Sequence, residues 1–332
     1  MVGPSDARSH STAPTLPDVR VGIVSWNTAE LLDRCLAALP AALAGLDAEI
    51  VVVDNASSDH SADVAERDGV AVIRNAENVG YARAMNQALA PTEAPVLLAL
   101  NPDTEPLAGS LAKLVERLLS RPTTGLVVPR LLNADGSLQP SAQRFPSLGL
   151  ALVSGFVPPR WQHGRLGRRW WLPDGAPHDR CEPIDWAIGA VHVIRAEALA
   201  GALPYSERWF MYAEDIELCW RMHRDGWDVR LEADIEVPHI GNAAGAQAWG
   251  WKRARRFWGA SYDFDALAHS RSHARAWAAV NLAATTVHLA ANRVGALSAG
   301  PAGERRRHAA GAMRALLPVH VRALVRGPEA PA

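Results

Sequence analysis

The chain has 332 residues, 48% of them apolar, enough to bury one large core with an appendage. Its formal net charge is only -1, and three scattered cysteines, Cys35, Cys181 and Cys219, exclude a disulfide framework and fit a reducing cytoplasm. The charge is unevenly spread: from Gln247 onward there are 13 Lys and Arg against 4 Asp and Glu, which leaves 21 against 31 in residues 1–246.

Met1 to Asp18 is rich in Ser, Pro and Ala and has no apolar stretch; it reads as a disordered leader, not a signal peptide. Val19–Ser25 is β-branched and apolar, a first strand. Ala29 to Leu43 has helical spacing, with Leu31, Leu32, Cys35, Leu36 and Leu39 on one side. Glu49–Val53 predicts a second strand that stops at Asp54. Ser58 and Asp59 then cap a short helix to Arg67. Val70–Ile73, Pro95–Leu100 and Gly125–Val128 are further strands, with helices at Gly80–Ala90 and Leu107–Leu119 between them. This alternation predicts an α/β fold with a parallel sheet covered on both faces and ligands at the carboxyl ends of its strands.

Regularity fades after Pro129. Asn133–Gly136 predicts a hairpin turn, and Pro140–Arg180 an irregular excursion. Ile184–Ile194 is expected to be one strand. A helix from Ile216 to Asp225 follows, then short strands at Val229–Leu231 and Ile235–Val237. The basic remainder reads as helical, with breaks near Gly300-Pro301 and Pro318. Its longest apolar stretch, Ala276–Ala291, is interrupted by Asn281 and His288, too short for the roughly 20 residues of a spanning helix.

Several acids stand where chemistry can use them. Asp54 ends a buried strand and can accept a base N–H or a ribose hydroxyl; an Asx turn or helix cap made by Asp54-Asn55 is the competing reading. Gly80, after Asn78, opens a helix where backbone can approach a phosphate, with Arg83 adding charge. Asp103, in Asn101-Pro102-Asp103-Thr104, offers a hard oxygen to Mg²⁺ or Mn²⁺. Glu214 and Asp215 lie at a helix start behind an aromatic run. Helical spacing places Glu214 with Glu217, Arg221 and Arg224 on a face expected to be solvated, and Asp215 with Leu218, Cys219 and Met222 on the apolar side. A general base needs a carboxylate tuned by such surroundings. His239 is a further metal-ligand candidate. Trp186 and Trp209 suit sugar rings or core packing.

In order, Val21–Asn27, Val52–Asp59, Asn78–Ala82, Leu100–Thr104, Asp185–Ala190 and Phe210–Asp215 resemble the family-2 inverting nucleotide-sugar glycosyltransferases of GT-A fold, in the branch with bacterial rhamnosyltransferases. The likeness covers about Val19 to Gly245. It implies a GT-A domain at 19–246, with a nucleotide-sugar half to 130 and an acceptor and catalytic half beyond, followed by a basic helical extension at 247–332. It places Asp54 on the nucleobase beside Ser25 and Asn27, and Asn78, Gly80 and Asn86 along the donor. Asp103 and His239 would hold a divalent metal, with Asn101 in place of the first acid of the family's Asp-x-Asp. Asp215 matches the catalytic base with Glu214 beside it, and Gly189 and Ala190 shape the acceptor floor with Trp186 and Trp209 nearby. A nucleoside-diphosphate sugar such as dTDP-rhamnose is the implied donor, and a cell-envelope glycan or polyprenyl-linked saccharide the implied acceptor.

No nucleic-acid partner is expected. The basic stretch 249–258, with Trp249, Trp251, Lys252, Arg253, Arg255, Arg256 and Trp258, suits either an anionic membrane surface, peripheral to the inner face of the plasma membrane, or a merely solvated helix. Two other functions fit less well. A sugar-nucleotide pyrophosphorylase would need a Gly-rich, cationic loop where Ser25-Trp26-Asn27-Thr28 stands. A silent glycan-binding protein would have no need of Asp103 and Asp215.

Overall fold

The computed structural model describes residues 17–158, 161, 169, 178–240, 243–297 and 300–327. The leader up to residue 16 and most of 159–177 lie outside the described residues. In chain order the first half runs β1 (Val19–Ser25), α1 (Ala29–Ala42), β2 (Ala48–Asp54), α2 (Ser61–Ala65), β3 (Val70–Arg74), α3 (Tyr81–Leu89), β4 (Val96–Leu100), α4 (Ser110–Leu119) and β5 (Thr124–Leu132). The second half runs β6 (Leu138–Gln139), β7 (Ala142–Gln143), α5 (Leu148–Phe156), β8 (Glu182–Pro183), β9 (Trp186–Ala187), β10 (Val191–Arg195), α6 (Glu214–Arg224), β11 (Asp228–Pro238), α7 (Ala243–Ala268), α8 (Arg271–Gly295) and α9 (Pro301–Arg326).

The main sheet has the order β3-β2-β1-β4-β10-β5-β11-β8, with β6 paired to β5. Strands β3, β2, β1 and β4 are parallel, as are β5 and β11; β10 enters antiparallel to both β4 and β5. Period-two alternation divides the core between the two faces. Val19, Val21, Ile23, Leu98 and Leu100 pack with Leu32, Leu36 and Leu39 of α1 and Leu111, Leu114 and Leu118 of α4. Val24, Val51, Val53, Leu97 and Ala99 share the other cluster with Met85 and Leu89 of α3 and Ile216, Leu218 and Met222 of α6. Close seating of α3 depends on Gly22: a Cβ there would lie 2.8 Å from Leu89 Cδ2 and 2.9 Å from Ala88 Cβ.

Four expectations are corrected. Ile184–Ile194 is not one strand. Asp185 accepts hydrogen bonds from Arg144 and the Phe145 N–H, at 2.9 Å each, and so draws the segment sideways, where β9 pairs with β7 in a separate small sheet. The chain rejoins the main sheet only at Val191. The two short strands after residue 228 are a single strand whose register slips between Glu232 and Glu236. Pro318 lies inside α9, and the unforeseen break falls at Ser270, whose hydroxyl accepts from the His273 N–H at the start of α8. The excursion after Pro140 contains β7 and α5.

The basic C-terminal helices are not a loose tail. Ala260 and Phe264 of α7 belong to the same core cluster as α3 and α6. Tyr262, Trp277, Ala278 and Ala323 form a third cluster with Ala151 of α5. Among the described residues, no helix is long and apolar enough to cross a membrane.

Candidate active site

The carboxyl ends of β1, β2 and β4 form one rim. Asp54 terminates β2, buried to 4% exposure. One oxygen accepts from the Ser57 N–H at 3.2 Å, and the other, Oδ1, is buried with no hydrogen-bond partner. The contact is thus the cap-type bond three residues on rather than an Asx turn, and an acceptor is still left for a ligand N–H or hydroxyl. Ser25 is fully buried, its hydroxyl 2.8 Å from that of Thr28. Asn27, at φ 55°, accepts from the Ser58 N–H at 2.7 Å, so β1 and β2 end in one stitched loop.

Asn55 and Asn78 organise the next edge. The Asn55 amide donates to Asn78 Oδ1 at 2.9 Å and accepts from the Val79 N–H at 3.0 Å, while Asn78 Oδ1 also accepts from the Gly80 N–H at 3.0 Å. Gly80 has φ +87°, and a Cβ there would meet the Phe210 carbonyl oxygen at 2.5 Å. That carbonyl accepts from the Tyr81 N–H at 2.8 Å, which joins the Asn78–Gly80 loop to the segment carrying Glu214 and Asp215. Arg83 is exposed. Asn86 departs from its expected place along the donor: it is 4% exposed and both ends of its amide clasp the Tyr205 backbone, at 2.8 and 3.0 Å.

The loop after β4 meets the chain after β11. Thr104 and His239 form an antiparallel bridge, and the Ile240 N–H donates to the Asp103 carbonyl at 2.8 Å. Fixed in this way, His239 Nε2 lies 3.1 Å from Asp103 Oδ1. His239 Nδ1 lies 2.6 Å from Gln139 Oε1, which can only accept, so Nδ1 donates there and Nε2 is the ring nitrogen turned to the carboxylate. Asp103 Oδ1 is buried without a hydrogen-bond partner. The donor set, one hard oxygen and one imidazole nitrogen oriented by Gln139, fits a divalent cation.

Glu214 and Asp215 begin α6 behind two strained residues, Tyr212 at φ 72° and Ala213 at φ 71°. Such conformations cost about 1–3 kcal/mol each and persist only when neighbours hold them. Here Phe257 packs edge-on to Tyr212 at 5.9 Å and the Arg256 guanidinium lies over the Phe210 ring at 5.0 Å, so α7 braces the strained loop. The expectation of a solvated face through Glu214 and Glu217 is overturned: they are 6% and 8% exposed, and Glu217 pairs with Arg221 at 3.2 Å.

Asp215 is half-buried. Its Oδ2 accepts from the Gly189 N–H at 3.3 Å and its Oδ1 from the Ile216 N–H at 2.8 Å. Burial pushes its carboxyl up to about 6, against the opposing pull of those N–H groups. Burial, and then the Asp215 charge, push Glu214 well above the usual carboxylate range. Both carboxyls are thus raised, and the two environments differ: Glu214 is enclosed without a backbone N–H from a neighbouring residue, whereas Asp215 accepts two.

Residue 189 links the two halves. Next to it, the Ala190 carbonyl accepts from the Asn101 N–H at 2.9 Å, and the Tyr81 hydroxyl donates to the Gly189 carbonyl at 3.1 Å. Burial first, then the charges of Glu214, Asp215 and Asp103, push the Tyr81 phenol well above its ordinary value, so one side chain senses all three acids. Ala190, Trp186 and Trp209 are 1%, 5% and 7% exposed; the two indoles are core residues rather than open platforms, and Trp186 donates to the Arg144 carbonyl at 2.9 Å. Sequence reasoning passed over Gln139, Tyr81 and Tyr205. Tyr81 stood inside a recognised motif, whereas nothing in the sequence ties Gln139 to His239.

A mostly parallel sheet with acids at its carboxyl ends and a buried acid pair across the rim defines the GT-A architecture. Residues 20–175 match the sequence model of the family described as Glycosyl transferase family 2, and that match together with the relatives and the fold supports a family-2 glycosyltransferase. It is 27% identical over 229 residues to the N-acetylglucosaminyl-diphospho-decaprenol L-rhamnosyltransferase of Mycobacterium tuberculosis, covering 65% of this chain and 74% of that protein. It is 28% identical over 234 residues to the low-salt glycan biosynthesis hexosyltransferase Agl10 of Haloferax volcanii, covering 68% and 67%. The fold matches that of the mannosyltransferase PcManGT of Pyrobaculum calidifontis, solved with GDP-Man and Mn²⁺, with a TM-score of 0.58 at 18% identity over 94% of this chain and 88% of that one.

Proposed function

We propose that this chain is an inverting glycosyltransferase. It would move a deoxyhexose such as rhamnose from a nucleoside-diphosphate donor to a hydroxyl of a polyprenyl-linked saccharide of the cell envelope. The observation that carries the reading is the placement of the acid pair Glu214 and Asp215, with the Asp215 carboxylate linked through Gly189 and Ala190 to the loop of Asp103.

Asp215 takes the proton of the acceptor hydroxyl as its oxygen bonds to the anomeric carbon. The bond from that carbon to the diphosphate oxygen breaks on the opposite face, so the configuration inverts. Burial raises the Glu214 carboxyl, while two backbone N–H groups favour the charged form of Asp215, which makes Asp215 the better proton acceptor of the two. Asp54, with its unpartnered oxygen, would receive the base or ribose of the donor, while the backbone at Gly80 lies along the diphosphate. Asp103 and His239 would hold a Mg²⁺ or Mn²⁺ ion, which when bound supplies positive charge to the leaving diphosphate.

Similarity to a relative named for a diphospho-decaprenol acceptor supports a lipid-linked acceptor here. Arg253 and Arg256 of α7, beside Tyr212 and Phe210, place cations near the catalytic loop where an acceptor diphosphate could be met. The side chain of Trp249 lies outside the described residues. Lys252 and Arg255 are exposed and would face anionic headgroups at a cytoplasmic membrane surface.

A single assay tests the reading. Donor dTDP-rhamnose is mixed with N-acetylglucosaminyl-diphospho-polyprenol in anionic vesicles and in detergent, and the product is examined by NMR. Inverted anomeric configuration, nucleoside diphosphate release and faster turnover on vesicles are expected. Retained configuration would refute the in-line displacement, and equal rates in both media would remove the surface role of α7.

A further inference from the structure

At the turn between α7 and α8, far in sequence from the loop of Asp103, three ligand-type side chains converge. Asp265 is fully buried. Its Oδ2 lies 2.8 Å from His273 Nδ1, and its Oδ1 lies 3.2 Å from His269 Nδ1. The two imidazoles stack with centroids 4.4 Å apart and planes 27° from parallel. We infer that Asp265, His269 and His273 form a second cation site, selective for a transition metal of the zinc type, that fastens the α7–α8 turn.

Four observations support it. First, Asp265 Oδ1 is buried and has no hydrogen-bond partner, so His269 approaches it without the alignment of a donor. A buried carboxylate oxygen left in that state is costly, and a cation bound by both groups removes the cost. Second, one oxygen or nitrogen from each residue falls within 4.8 Å of the others; the 3.2 Å approach of His269 to Oδ1 is near the edge of ~3.3 Å expected between ligands at 2.0–2.1 Å from a tetrahedral zinc, while His273 Nδ1 at 2.8 Å is hydrogen-bonded to Oδ2 and would open by about half an ångström. Third, two imidazoles with one carboxylate are a borderline donor set that favours zinc and its neighbours over Mg²⁺ or Ca²⁺.

Fourth, the backbone holds the set in place. The His269 N–H donates to the Asp265 carbonyl at 3.0 Å, and the His273 N–H donates to the Ser270 hydroxyl at 3.1 Å. The spacing of four residues on each side of His269 spans the turn rather than one helix face. His269 keeps 47% of its side-chain surface and lines a cavity of about 390 Å³ with Arg144, Ser147 and Asp185. The site is thus open on one side, for metal entry and for water as a fourth ligand. Another trio, Cys181, Glu232 and Asp234, is a weaker candidate, because Arg121 and Arg117 already neutralise its two acids.

The test uses the full, tag-free chain. Zn²⁺ is titrated calorimetrically, Co²⁺ is followed by its visible absorption, and the melting temperature is read with and without zinc. The arms are wild type, Asp103→Asn, Cys181→Ser, His269→Gln, His273→Gln and Asp103→Asn combined with His269→Gln, each checked for native circular dichroism. One equivalent of zinc per chain should persist in Asp103→Asn and Cys181→Ser, and should weaken at least ~10-fold in both histidine variants. Zinc should raise the melting temperature wherever it binds. Since His269 is half-exposed, its variant should fold even if His273→Gln does not. Zinc binding that disappears with Asp103→Asn or Cys181→Ser, that survives His269→Gln when Asp103→Asn is also present, or that is absent from wild type overturns the inference. The Asp103→Asn arm keeps this result separate from the proposed catalytic metal.

Discussion

Glu214 and Asp215 are adjacent in sequence, yet the helix start that carries them gives them different surroundings. Glu214 is enclosed, with its Oε2 buried and unpartnered, whereas Asp215 accepts two backbone N–H groups. Since the folded pKa of Glu214 is raised above its ordinary 4.5, the folded state binds the Glu214 proton more tightly than the unfolded chain does. Wild-type stability should therefore fall as pH rises from about 4.5 toward the folded pKa, and Glu214→Gln should lack that fall. Melting temperatures of the two proteins measured across this range should diverge in favour of Glu214→Gln as pH rises. Parallel curves would mean that Glu214 is not buried as a neutral acid. The sequence marked both residues, but it assigned Glu214 to a wet face. Spacing along a helix reports which residues share a side, not what covers that side, and here the cover is supplied by residues far away in the chain.

At the scale of elements, much was legible where local chemistry alone decides. Val19–Ser25 and its partner strands have β-branched residues alternating between two buried faces, and the loops between them carry Asn and Asp that end strands and start helices. Legibility failed where distant groups decide. Ile184–Ile194 has a strand's composition, but Asp185 is held by Arg144 and Phe145, some forty residues earlier, and the strand breaks. The pairing of Asp103 with His239 depends on a bridge between the ends of β4 and β11, and Gln139 reaches His239 only because the hairpin after β5 folds back. Gly80 shows the same coupling between elements. Its positive φ and the Phe210 carbonyl 2.5 Å from where a Cβ would stand mean that Gly80→Ala must push the donor loop and the catalytic loop apart. The extended positive-φ conformation, φ 87° with ψ 167°, is essentially glycine-only and alone costs an alanine about 1–3 kcal/mol, and the displaced contact adds to it. Urea denaturation of Gly80→Ala should show at least that loss, together with lower turnover; wild-type stability would show that the two loops do not depend on this contact.

Across the whole molecule, the site is assembled from segments that begin at β1 and end after β11, and the basic C-terminal helices complete it by bracing Tyr212 and Phe210. The family assignment follows from the ordered motifs, while the division of labour among the acids comes from the fold. Asp103 and Asp215 stand on opposite sides of the Gly189–Ala190 link and should fail differently when changed. Asp103→Asn should weaken donor and metal binding together. Asp215→Asn, nearly isosteric, should leave donor binding intact and remove the proton acceptor, worth about 10²–10⁴-fold in rate.

The most direct measurement is therefore the turnover of Asp215→Asn beside its donor affinity, taken by calorimetry in the presence of Mn²⁺. The account predicts a collapse of kcat with the donor Kd unchanged. Turnover close to wild type, or a donor affinity that falls in step with the rate, would contradict it.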